Sequence, residues 1–393
     1  MKATAVIALG SIMASKSGSV DPSKFPDEVF DLYSIPAFDR GQPEIVEGNK
    51  IGSTKQVVQP GDVLLSKIVP HIRRSWVVGK NHGRRLIASG EWIVFRSEHL
   101  HPRYIKHVLV GDPFYAEFMR TVSGVGGSLL RARPAQVADI KIPLPPLAEQ
   151  RRIAAILDAA EALREKRRQS LAKLDTLAQA IFLGLFGDPV RNTKCWDEAS
   201  VLGDVAEIVS GVTKGRKLNG SRTREIPYLA VINVQDRSLK LDLVKTVEAT
   251  EDEIRRYKLQ KGDLLLTEGG DPDKLGRGTL WNNELPECIH QNHIFRVRLS
   301  SRRIQPLFLN WLVGSQRGKK YFLKSAKQTT GIASINMTQL RGFPLIVPPL
   351  SLQSEFAAQL SAVDRLKAAH RASLAKLDAL FASLQHRAFR GEL

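Results

Sequence analysis

The chain has 393 residues, of which 43% are hydrophobic and 25% are charged, a balance that is ordinary for globular proteins and excludes wholesale disorder. Lys and Arg number 58 against 40 Asp and Glu, which gives a net charge of +18. The length predicts two domains or three, and no apolar run reaches the roughly 18 residues of a membrane-spanning helix. The only cysteines, Cys195 and Cys288, exclude a disulfide scaffold and indicate a reducing compartment, so we expect the cytoplasm.

The N-terminal segment allows two interpretations. Residues 1–18 combine a lysine with an apolar run and faintly resemble a secretory signal peptide. A similar pattern recurs deep inside the chain, where LGDV at 202–205 lies against LGSI at 9–12. We therefore predict that the segment is the first strand of a domain.

Several segments have the patterns of strands and short helices. Apolar residues alternate or run between Gly, Pro and Asn in VVQPGDVLLSKIV (57–69), GEWIVFR (90–96) and HIFRVRL (293–299), as they do in strands. Apolar residues recur at spacings of three and four in 102–119 and 306–324, which predicts helices there.

The chain contains an internal repeat. SLAKLDTL at 170–177 recurs as SLAKLDAL at 373–380, an offset of 203 residues, and Gln150 matches Gln353 at the same offset. PPL at 145–147 also recurs at 348–350, and QPGDVLLSK at 59–67 resembles QKGDLLLTE at 260–268. The unit is too long for a solenoid repeat, so we predict a duplicated domain.

Each repeat ends in a long helix that begins after Pro-Pro. Both heptad seams are apolar at their ends and polar at two middle positions, which are Arg164 and Arg167 in one helix and Lys367 and His370 in the other. This predicts an antiparallel coiled coil about 58 Å long, although two amphipathic helices that each pack on their own domain stay an alternative. The predicted seam residues are Ile153, Leu157, Leu171, Leu174, Ile181, Phe356, Leu360, Val363, Leu374, Leu377 and Phe381.

We therefore predict an α+β protein with two pseudo-repeated α/β domains, separated by two long helices that form an antiparallel coiled coil. The expected segments are a first domain at 1–146, a central helix at 147–188, a second domain at 189–349 and a C-terminal helix at 350–393. The two domain segments carry net charges of +6 and +9. Basic surfaces bind polyanions through counterion release, which favours a nucleic acid as the partner, whereas charge that serves solubility alone is the alternative.

Known catalytic patterns are missing from the sequence. It has no P-loop, dinucleotide-binding turn or nucleophile elbow, and no aromatic residue follows Pro-Pro as an adenine methyltransferase would require. Cys288, His290 and His293 are weak metal-ligand candidates, because a structural zinc needs four ligands and the second cysteine is distant. A nuclease built on Asp62 and Lys67, or on Asp263 and Glu268, is less favoured than two Gly-Asp turns that lead into strands. We therefore assign no catalytic residue and no metal ligand.

Polar and basic side chains of the types that contact bases and phosphates occur in both domains. The candidates of the first domain are Arg73, Arg74, Arg84, Arg85, Ser128 and Arg131. The candidates of the second domain are Arg222, Arg224, Asn233, Gln235, Lys274, Arg277, Gln291, Asn292, His293, Thr329, Thr330 and Asn336.

The repeat, PLPPLAEQRRIAAILD (143–158), GDLLLTEGGDPDKLGRG (262–278) and KQTTGIASIN (327–336) together resemble the specificity subunit of type I restriction-modification systems. The resemblance covers essentially the whole chain, as two target recognition domains that alternate with two helical spacers. The second copy departs from the motif, because VPPLSLQSEFAAQL lacks the Glu-Gln pair and the basic Arg151-Arg152 pair.

The resemblance implies a non-catalytic subunit whose two domains read the two halves of a bipartite, asymmetric sequence in double-stranded DNA. It implies partners that dock on the helices: two modification subunits, which use S-adenosylmethionine, and restriction and translocase subunits, which use ATP and Mg²⁺. This chain itself would need no cofactor. The alternatives are a stand-alone nuclease or methyltransferase, and a coiled-coil protein scaffold without salt-dependent affinity for DNA.

Overall fold

The computed structural model describes residues 5–14, 18–124, 130–218, 222–271, 274–329 and 332–393. By its internal packing the chain divides into two compact units, which are residues 1–169 with 370–393 and residues 170–369. The predicted division into four consecutive segments stays a prediction, because these units are composed differently: each contains part of both long helices. Within the described ranges, no helix is long and apolar enough to cross a membrane.

The first unit contains twelve described strands and four short helices. The strands are β1 (Ala5–Ala8), β2 (Ser19–Val20), β3 (Val29–Tyr33), β4 (Glu44–Glu47), β5 (Lys55–Val57), β6 (Val63–Ser66), β7 (Ser75–Val77), β8 (Arg85–Ala88), β9 (Trp92–Phe95), β10 (Val122–Ser123), β11 (Arg131–Ala132) and β12 (Lys141–Leu144). The short helices are α1 (Ile35–Asp39), α2 (Pro102–Val110), α3 (Asp112–Arg120) and α4 (Pro134–Ala138). The sheets have the orders β2-β5-β8-β3-β4, β7-β6-β9, β1-β12 and β10-β11.

The second unit repeats the main features of this arrangement. Its strands are β13 (Ala206–Ser210), β14 (Thr223–Leu229), β15 (Val234–Gln235), β16 (Ser238–Leu239), β17 (Lys245–Thr250), β18 (Leu264–Thr267), β19 (Gly269–Gly270), β20 (Gly278–Leu280), β21 (Ile289–His290), β22 (Ile294–Leu299), β23 (Lys327–Thr329) and β24 (Ile332–Ser334). Its short helices are α6 (Leu202–Val205), α7 (Glu251–Tyr257), α8 (Pro306–Val313), α9 (Gln316–Ser325) and α10 (Met337–Arg341). The sheets have the orders β13-β22-β18-β20, β17-β14-β21, β19-β24-β23 and β15-β16.

The predicted Gly-Asp turns lead into the buried strands β6 and β18, as expected. Gly61 and Gly262 have φ angles of +88° and +92°, a conformation that glycine adopts without steric cost. The carboxylates of Asp62 and Asp263 then accept the backbone N–H groups of Gln59 and Gln260, at 2.8 and 2.7 Å. The same turn therefore starts the same strand in both repeats.

The two long helices, α5 (Leu147–Phe186) and α11 (Leu350–Arg390), pack against each other as the predicted antiparallel coiled coil. In the first unit, Nε of Arg164 donates to Oδ1 of Asp378 at 2.6 Å. In the second unit, Nζ of Lys367 lies 2.7 Å from Oδ1 of Asp175. Arg164 and Lys367 are equivalent in the repeat, and so are Asp175 and Asp378. The same ion pair therefore forms twice, with the helices in exchanged roles.

The predicted seam divides into two classes of burial. The buried residues are Ile153, Leu157, Phe356, Leu360, Val363 and Phe381. The half-buried residues are Leu171, Leu174, Ile181, Leu374 and Leu377. The sequence pattern missed Phe182 and Phe186, which are both fully buried. They pack on Phe308 of α8 and Phe356 of α11, because this end of α5 contacts a domain as well as its partner helix.

The predicted helices at 102–119 and 306–324 are each broken into two. Gly111 separates α2 from α3, and its backbone is extended at φ −73° and ψ +150°. Gly314 and Ser315 separate α8 from α9, and the Ser315 side chain accepts the Arg317 N–H as an N-cap. Apolar periodicity continues across both breaks, so it could not reveal them.

Candidate nucleic-acid interface

In the second unit, three separate segments meet where strand β18 ends. The backbone N–H of Glu268, the residue after β18, donates to the carbonyl of His293 at 3.0 Å, and the Glu268 carbonyl accepts the Ile335 N–H at 2.9 Å. Strand β19 pairs with β24, which places Gly269 opposite Ser334. A Cβ on Gly269 would lie 3.0 Å from the Ala333 carbonyl oxygen, so this close approach favours glycine. The fold thus joins GDLLLTEGG to KQTTGIASIN.

We call Glu268, His293 and Ser334 the second strand-end cluster. Nδ1 of His293 lies 2.6 Å from Oε2 of Glu268, and the exposed fractions of these side chains are 56% and 33%. Gln291 and Asn292, which precede His293 in the same turn, are half-buried. The turn therefore presents amide and imidazole groups, which can both donate and accept hydrogen bonds at base edges.

The first unit has a cluster at the equivalent position. The N–H of Lys67, the residue after β6, donates to the Glu91 carbonyl at 3.0 Å, and the Lys67 carbonyl accepts the Ala132 N–H at 2.8 Å. Nη2 of Arg131 lies 3.1 Å from Oε1 of Glu91, and the Arg131 side chain is 61% exposed. We call Lys67, Glu91 and Arg131 the first strand-end cluster.

The two clusters occupy the same backbone positions and differ in chemistry. Lys67 stands where the second unit has Glu268, Glu91 where it has His293, and Arg131 where it has Ser334. The framework hydrogen bonds are kept while the exposed side chains change. Two surfaces of this kind can contact two different sequences from one scaffold.

Other candidates lie around the second strand-end cluster or outside the described residues. Lys274 pairs with Asp271 in the loop after β19, and Oδ1 of Asn336 accepts the Gln339 N–H at the start of α10. Thr329 belongs to β23, where only its backbone is described. Ser128 and Thr330 lie outside the described residues.

Two candidates, Asn233 and Arg74, are buried in the fold instead. Asn233 is only 2% exposed; its amide donates to the carbonyls of Lys240 and Leu243, and its Oδ1 accepts the Ala230 N–H. Arg74 is 8% exposed and forms a bidentate pair with Asp39 at 2.9 Å. Asn233 and Arg74 therefore cannot reach a duplex in this conformation.

Arg277 occupies the position in the second unit that Arg74 has in the first. Its Nη1 donates to Oε1 of Gln235 at 3.2 Å, and Nε2 of Gln235 donates to the Ile232 carbonyl. Nε of Arg277 is buried and has no hydrogen-bond partner among the described groups. Arg277 and Gln235 thus bond to each other while both are half-buried, and their assignment as base readers stays a prediction.

Most remaining arginine candidates are paired with carboxylates and stay partly exposed. Arg73 lies 2.6 Å from Asp112, Arg84 lies 2.7 Å from Asp31, Arg85 lies 2.5 Å from Glu28, and Arg224 pairs with both Glu251 and Glu287. The hydrogen bond from Arg85 holds the pKa of Glu28 below its usual value. Such pairs leave less charge for phosphate than the composition alone indicates.

Arg222 and Arg224 lie away from the second strand-end cluster. Both are exposed at the start of β14, whereas Leu229 at the end of β14 accepts the Gln291 N–H at 2.9 Å. Leu229 lies five positions after Arg224 in the strand, which corresponds to about 17 Å. The structure therefore does not bring these two arginines together with the Gln291–His293 turn.

The carboxylates considered for a nuclease hold the Gly-Asp turns. Asp62 forms a bidentate pair with Arg96 at 2.6 Å, and Asp263 forms one with Arg298 at 2.7 Å. The hydrogen bonds that both arginines donate to these carboxylates raise the pKa of the arginines. Asp62 and Asp263 are 2% and 1% exposed, so each carboxylate is buried in an ion pair with its arginine.

The metal candidates Cys288, His290 and His293 each have a separate partner. The Cys288 thiol donates to the Ile289 carbonyl, and burial raises its pKa to about 12. Nδ1 of His290 lies 3.0 Å from the Ile294 carbonyl, whereas His293 contacts Glu268. Elsewhere in the described residues, His107, Asp158 and Glu161 lie close enough for a shared ion, but Arg103 and Lys106 already pair with these acids.

Comparisons with known proteins agree with this arrangement. The family model for the type I restriction modification DNA specificity domain matches residues 6–174 and again 196–379. The type I restriction enzyme StySPI specificity subunit of Salmonella potsdam is 25% identical over 338 residues, which cover 81% of this chain and 72% of that protein. The EcoKI specificity subunit of Escherichia coli K12 is also 25% identical, over 68% of this chain and 61% of its own length.

A solved structure from work on complex assembly and conformational transition of the type I R-M system has the same fold. It covers 100% of this chain and 99% of its own, with a TM-score of 0.60 and 20% identity. The two matched segments coincide with the two repeats and their strand-end clusters. The chain therefore belongs to the family of type I restriction modification DNA specificity domains and carries two of them, which makes it a DNA sequence-recognition subunit of such a system.

Proposed function

We propose that the two domains read the two halves of a bipartite, asymmetric sequence in double-stranded DNA. The observation that carries this proposal is the pair of strand-end clusters, which share their backbone hydrogen bonds and differ at all three side chains. Arg131 can donate two hydrogen bonds to guanine, and the Gln291–His293 turn offers groups of the kind that bind adenine. Different half-sites follow from different side chains on one framework.

The charge of the chain supports a mainly electrostatic contribution to affinity. A net charge of +18 favours binding to phosphates through release of counterions, whereas base contacts supply the sequence preference. The paired arginines reduce the number of cations that are available to phosphate. We therefore expect a salt dependence that is steep but weaker than the 58 basic residues alone would give.

In the proposed function the helices set the gap between the half-sites. Helices α5 and α11 have 40 and 41 residues, which corresponds to about 60 Å each. The duplicated ion pair, Arg164 with Asp378 and Lys367 with Asp175, holds them in one antiparallel register. A fixed register makes the helices suitable as a ruler.

We further propose that the outer faces of these helices dock two copies of a modification subunit. Four exposed leucines support this part of the proposal: Leu163 and Leu366 are 53% and 51% exposed, and Leu177 and Leu380 are 45% and 49% exposed. Each pair is related by the 203-residue repeat, so each unit contains one leucine of each pair. Equivalent apolar positions of this kind suit two equivalent partners.

In this proposal the chain catalyses nothing and acts in the cytoplasm. S-adenosylmethionine, ATP and Mg²⁺ would be bound by the modification, restriction and translocase subunits. The engagement of Asp62 and Asp263 by arginines supports this part, because neither carboxylate is positioned to activate water. These pairings therefore count against a stand-alone nuclease built on Asp62 or Asp263.

The test is selection of duplexes by the full-length chain together with its modification subunit. We expect enrichment of two unlike half-sites at one fixed spacing, with binding that weakens steeply as salt rises. Selection of one uninterrupted sequence, or of no sequence at all, would contradict the proposal. DNA cleavage or methylation by the purified chain alone would favour the enzyme alternative.

A further inference from the structure

We propose that Gln150 and Gln353 are positioning residues, which fix the angle between each recognition domain and its long helix. Through that angle they would restrict the spacing between half-sites that the subunit accepts. This inference rests on the proposed recognition of a bipartite sequence. It assigns the narrow range of accepted half-site spacings to two buried side-chain amides.

Gln150 joins the start of α5 to the loop that precedes α2. Its Oε1 accepts the backbone N–H of His101 at 2.8 Å. Its Nε2 donates to the carbonyls of His99 and Pro145, at 3.0 and 2.9 Å. The residue is 1% exposed, so water does not replace these bonds.

Gln353 makes the same three bonds in the second unit. Its Oε1 accepts the N–H of Gln305 at 2.7 Å, and its Nε2 donates to the carbonyls of Arg303 and Pro348, at 3.0 and 2.8 Å. Gln353 is also 1% exposed. The loop sequences before α2 and α8, HLHP and RIQP, share only the proline that begins the helix, whereas the three-bond pattern is kept.

Only glutamine fits this arrangement among the ordinary polar residues. The site needs one acceptor and two donors at the end of a side chain of this length, and a primary amide provides them. Glutamate has no donor and would place a carboxylate oxygen against two carbonyls, and asparagine is one methylene shorter. A buried carbonyl left without its donor is costly, which makes the connection rigid.

At the starts of α2 and α8, the glutamines of the long helices contact the N-cap backbone. The N-cap residues of α2 and α8, His101 and Gln305, form no side-chain cap of their own. The backbone at each N-cap is instead held by the amide of the long helix. The domain therefore follows the direction of that helix.

Small changes of angle at this junction become large displacements. A helix of about 60 Å converts a tilt of about 3° into a displacement of about 3 Å at its far end. The rise of one base-pair step in B-DNA is about 3.4 Å. A loosened amide connection would therefore let the subunit accept spacings that differ by one base pair.

The test is duplex selection by the full-length chain with its modification subunit, read out as the distribution of spacings. Gln150→Met and Gln353→Met retain the side-chain volume and remove all three hydrogen bonds. Gln169→Met and Gln359→Met are the matched controls, because the exposed Gln169 and the half-buried Gln359 bond to Glu165 and Glu355 of their own helices. We expect the buried substitutions to raise the share of spacings one base pair off by about fivefold or more, with unchanged half-sites.

The outcomes separate this inference from the proposed function. If the unaltered chain selects no bipartite sequence, the proposed function fails and the inference fails with it. If the unaltered chain selects one spacing and the folded Gln→Met variants select the same one, only the positioning role is overturned. A merely structural role would lower the yield of bound DNA without changing the spacing.

A milder variant covers the case in which Gln→Met prevents folding. His101→Pro removes the N–H that donates to Gln150 and leaves the other two bonds in place, and His101→Ala, which keeps that N–H, is the control for the loss of the imidazole. We expect a smaller broadening of the spacing, with a thermal unfolding midpoint close to that of the unaltered chain. A single sharp spacing in this folded variant would contradict the inference.

Discussion

Arg167 and His370 occupy the same position in the two repeats, 203 residues apart, and Nη1 of Arg167 lies 3.0 Å from Nδ1 of His370. In an antiparallel pair of related helices, a residue meets its own counterpart only at the midpoint of the pair. The arginine guanidinium has only donors, so Nδ1 of His370 accepts this hydrogen bond. A polar layer at the midpoint of an apolar seam specifies register, as it does in coiled coils.

The ion pairs beside this layer predict a charge-reversal effect. Asp175→Lys would place a second cation against Lys367, whose side chain is 13% exposed. We expect the free energy of unfolding to fall by about 0.5–1 kcal/mol, because the pair is only partly buried. Adding Lys367→Asp should restore most of the loss, which urea denaturation of both variants would measure. Equal stability of the single and double variants would refute the pairing.

The aromatic cluster at the end of α5 predicts a large effect of one truncation. Phe182 is fully buried against Phe308, Trp311 and Phe356, so Phe182→Ala should cost about 3–5 kcal/mol of unfolding free energy. Leu177→Ala, on the same helix at 45% exposure, is the control and should change stability by less than about 0.5 kcal/mol. In the proposed function, Leu177→Ala should instead weaken capture of the modification subunit. A small cost for Phe182→Ala would show that this cluster is not a core.

His290 predicts a loss of stability in acid. It is fully buried, and burial lowers its pKa to about 4, while its Nε2 has no hydrogen-bond partner among the described groups. The unfolded chain binds this proton near pH 6.5 and the folded chain only near pH 4, so stability falls as the pH falls through this range. The contribution is roughly 2–3 kcal/mol between pH 7 and pH 4.5.

The measurement for His290 is urea unfolding at pH 7 and pH 4.5. His290→Gln should lose less stability between these pH values than the unaltered chain. His293→Gln is the control, because His293 is exposed beside Glu268, and it should retain the full acid effect. An undiminished acid effect in the His290 variant would mean that other groups cause it.

The strand-end clusters predict two separable changes of specificity. Arg131→Ala should relax one position of one half-site, and His293→Ala should relax one position of the other, each by about 1–3 kcal/mol of base discrimination. Arg120→Ala is the control, because Arg120 is 75% exposed on α3 and forms an ion pair with Glu117 of the same helix. Changes in both half-sites from one substitution would contradict the modular reading.

If helices α5 and α11 set the spacing between the half-sites, longer helices should select a longer spacing. Insertion of one heptad in both α5 and α11 preserves the apolar seam and adds about 10 Å to each helix. We expect selection of the same half-sites at a longer spacing, or loss of binding where the added length cannot match the turn of the duplex. Tight binding at the original spacing would show that the helices do not measure the gap.

The sequence predicts the repeat, the long helices and most of the seam because these depend on periodicity. Periodicity could not identify Phe182, whose burial comes from a domain helix that packs beside the two-helix seam. It could not locate the break at Gly111 either, because the apolar spacing continues across it.

The recognition surface was less predictable, because residue type does not distinguish a base reader from an internal hydrogen-bonding group. Asn233 and Asn292 are both asparagines. Asn233 is buried and makes three hydrogen bonds to backbone groups, whereas Asn292 lies in the turn before His293. Arg74 and Arg131 differ in the same way. The repeat distinguishes these two arginines: Arg74 is equivalent to Arg277, an identity that suits a shared structural role, whereas Arg131 is equivalent to Ser334.

The most direct test of the central claim is a genome-wide map of N6-methyladenine in cells with and without this gene. The proposed function predicts that removal of the gene abolishes methylation at one bipartite, asymmetric motif and leaves other methylated motifs unchanged. Restoring the chain with Arg131→Ala should return the motif with one half-site relaxed. An unchanged map in cells that contain the chain bound to its modification subunit would contradict the account.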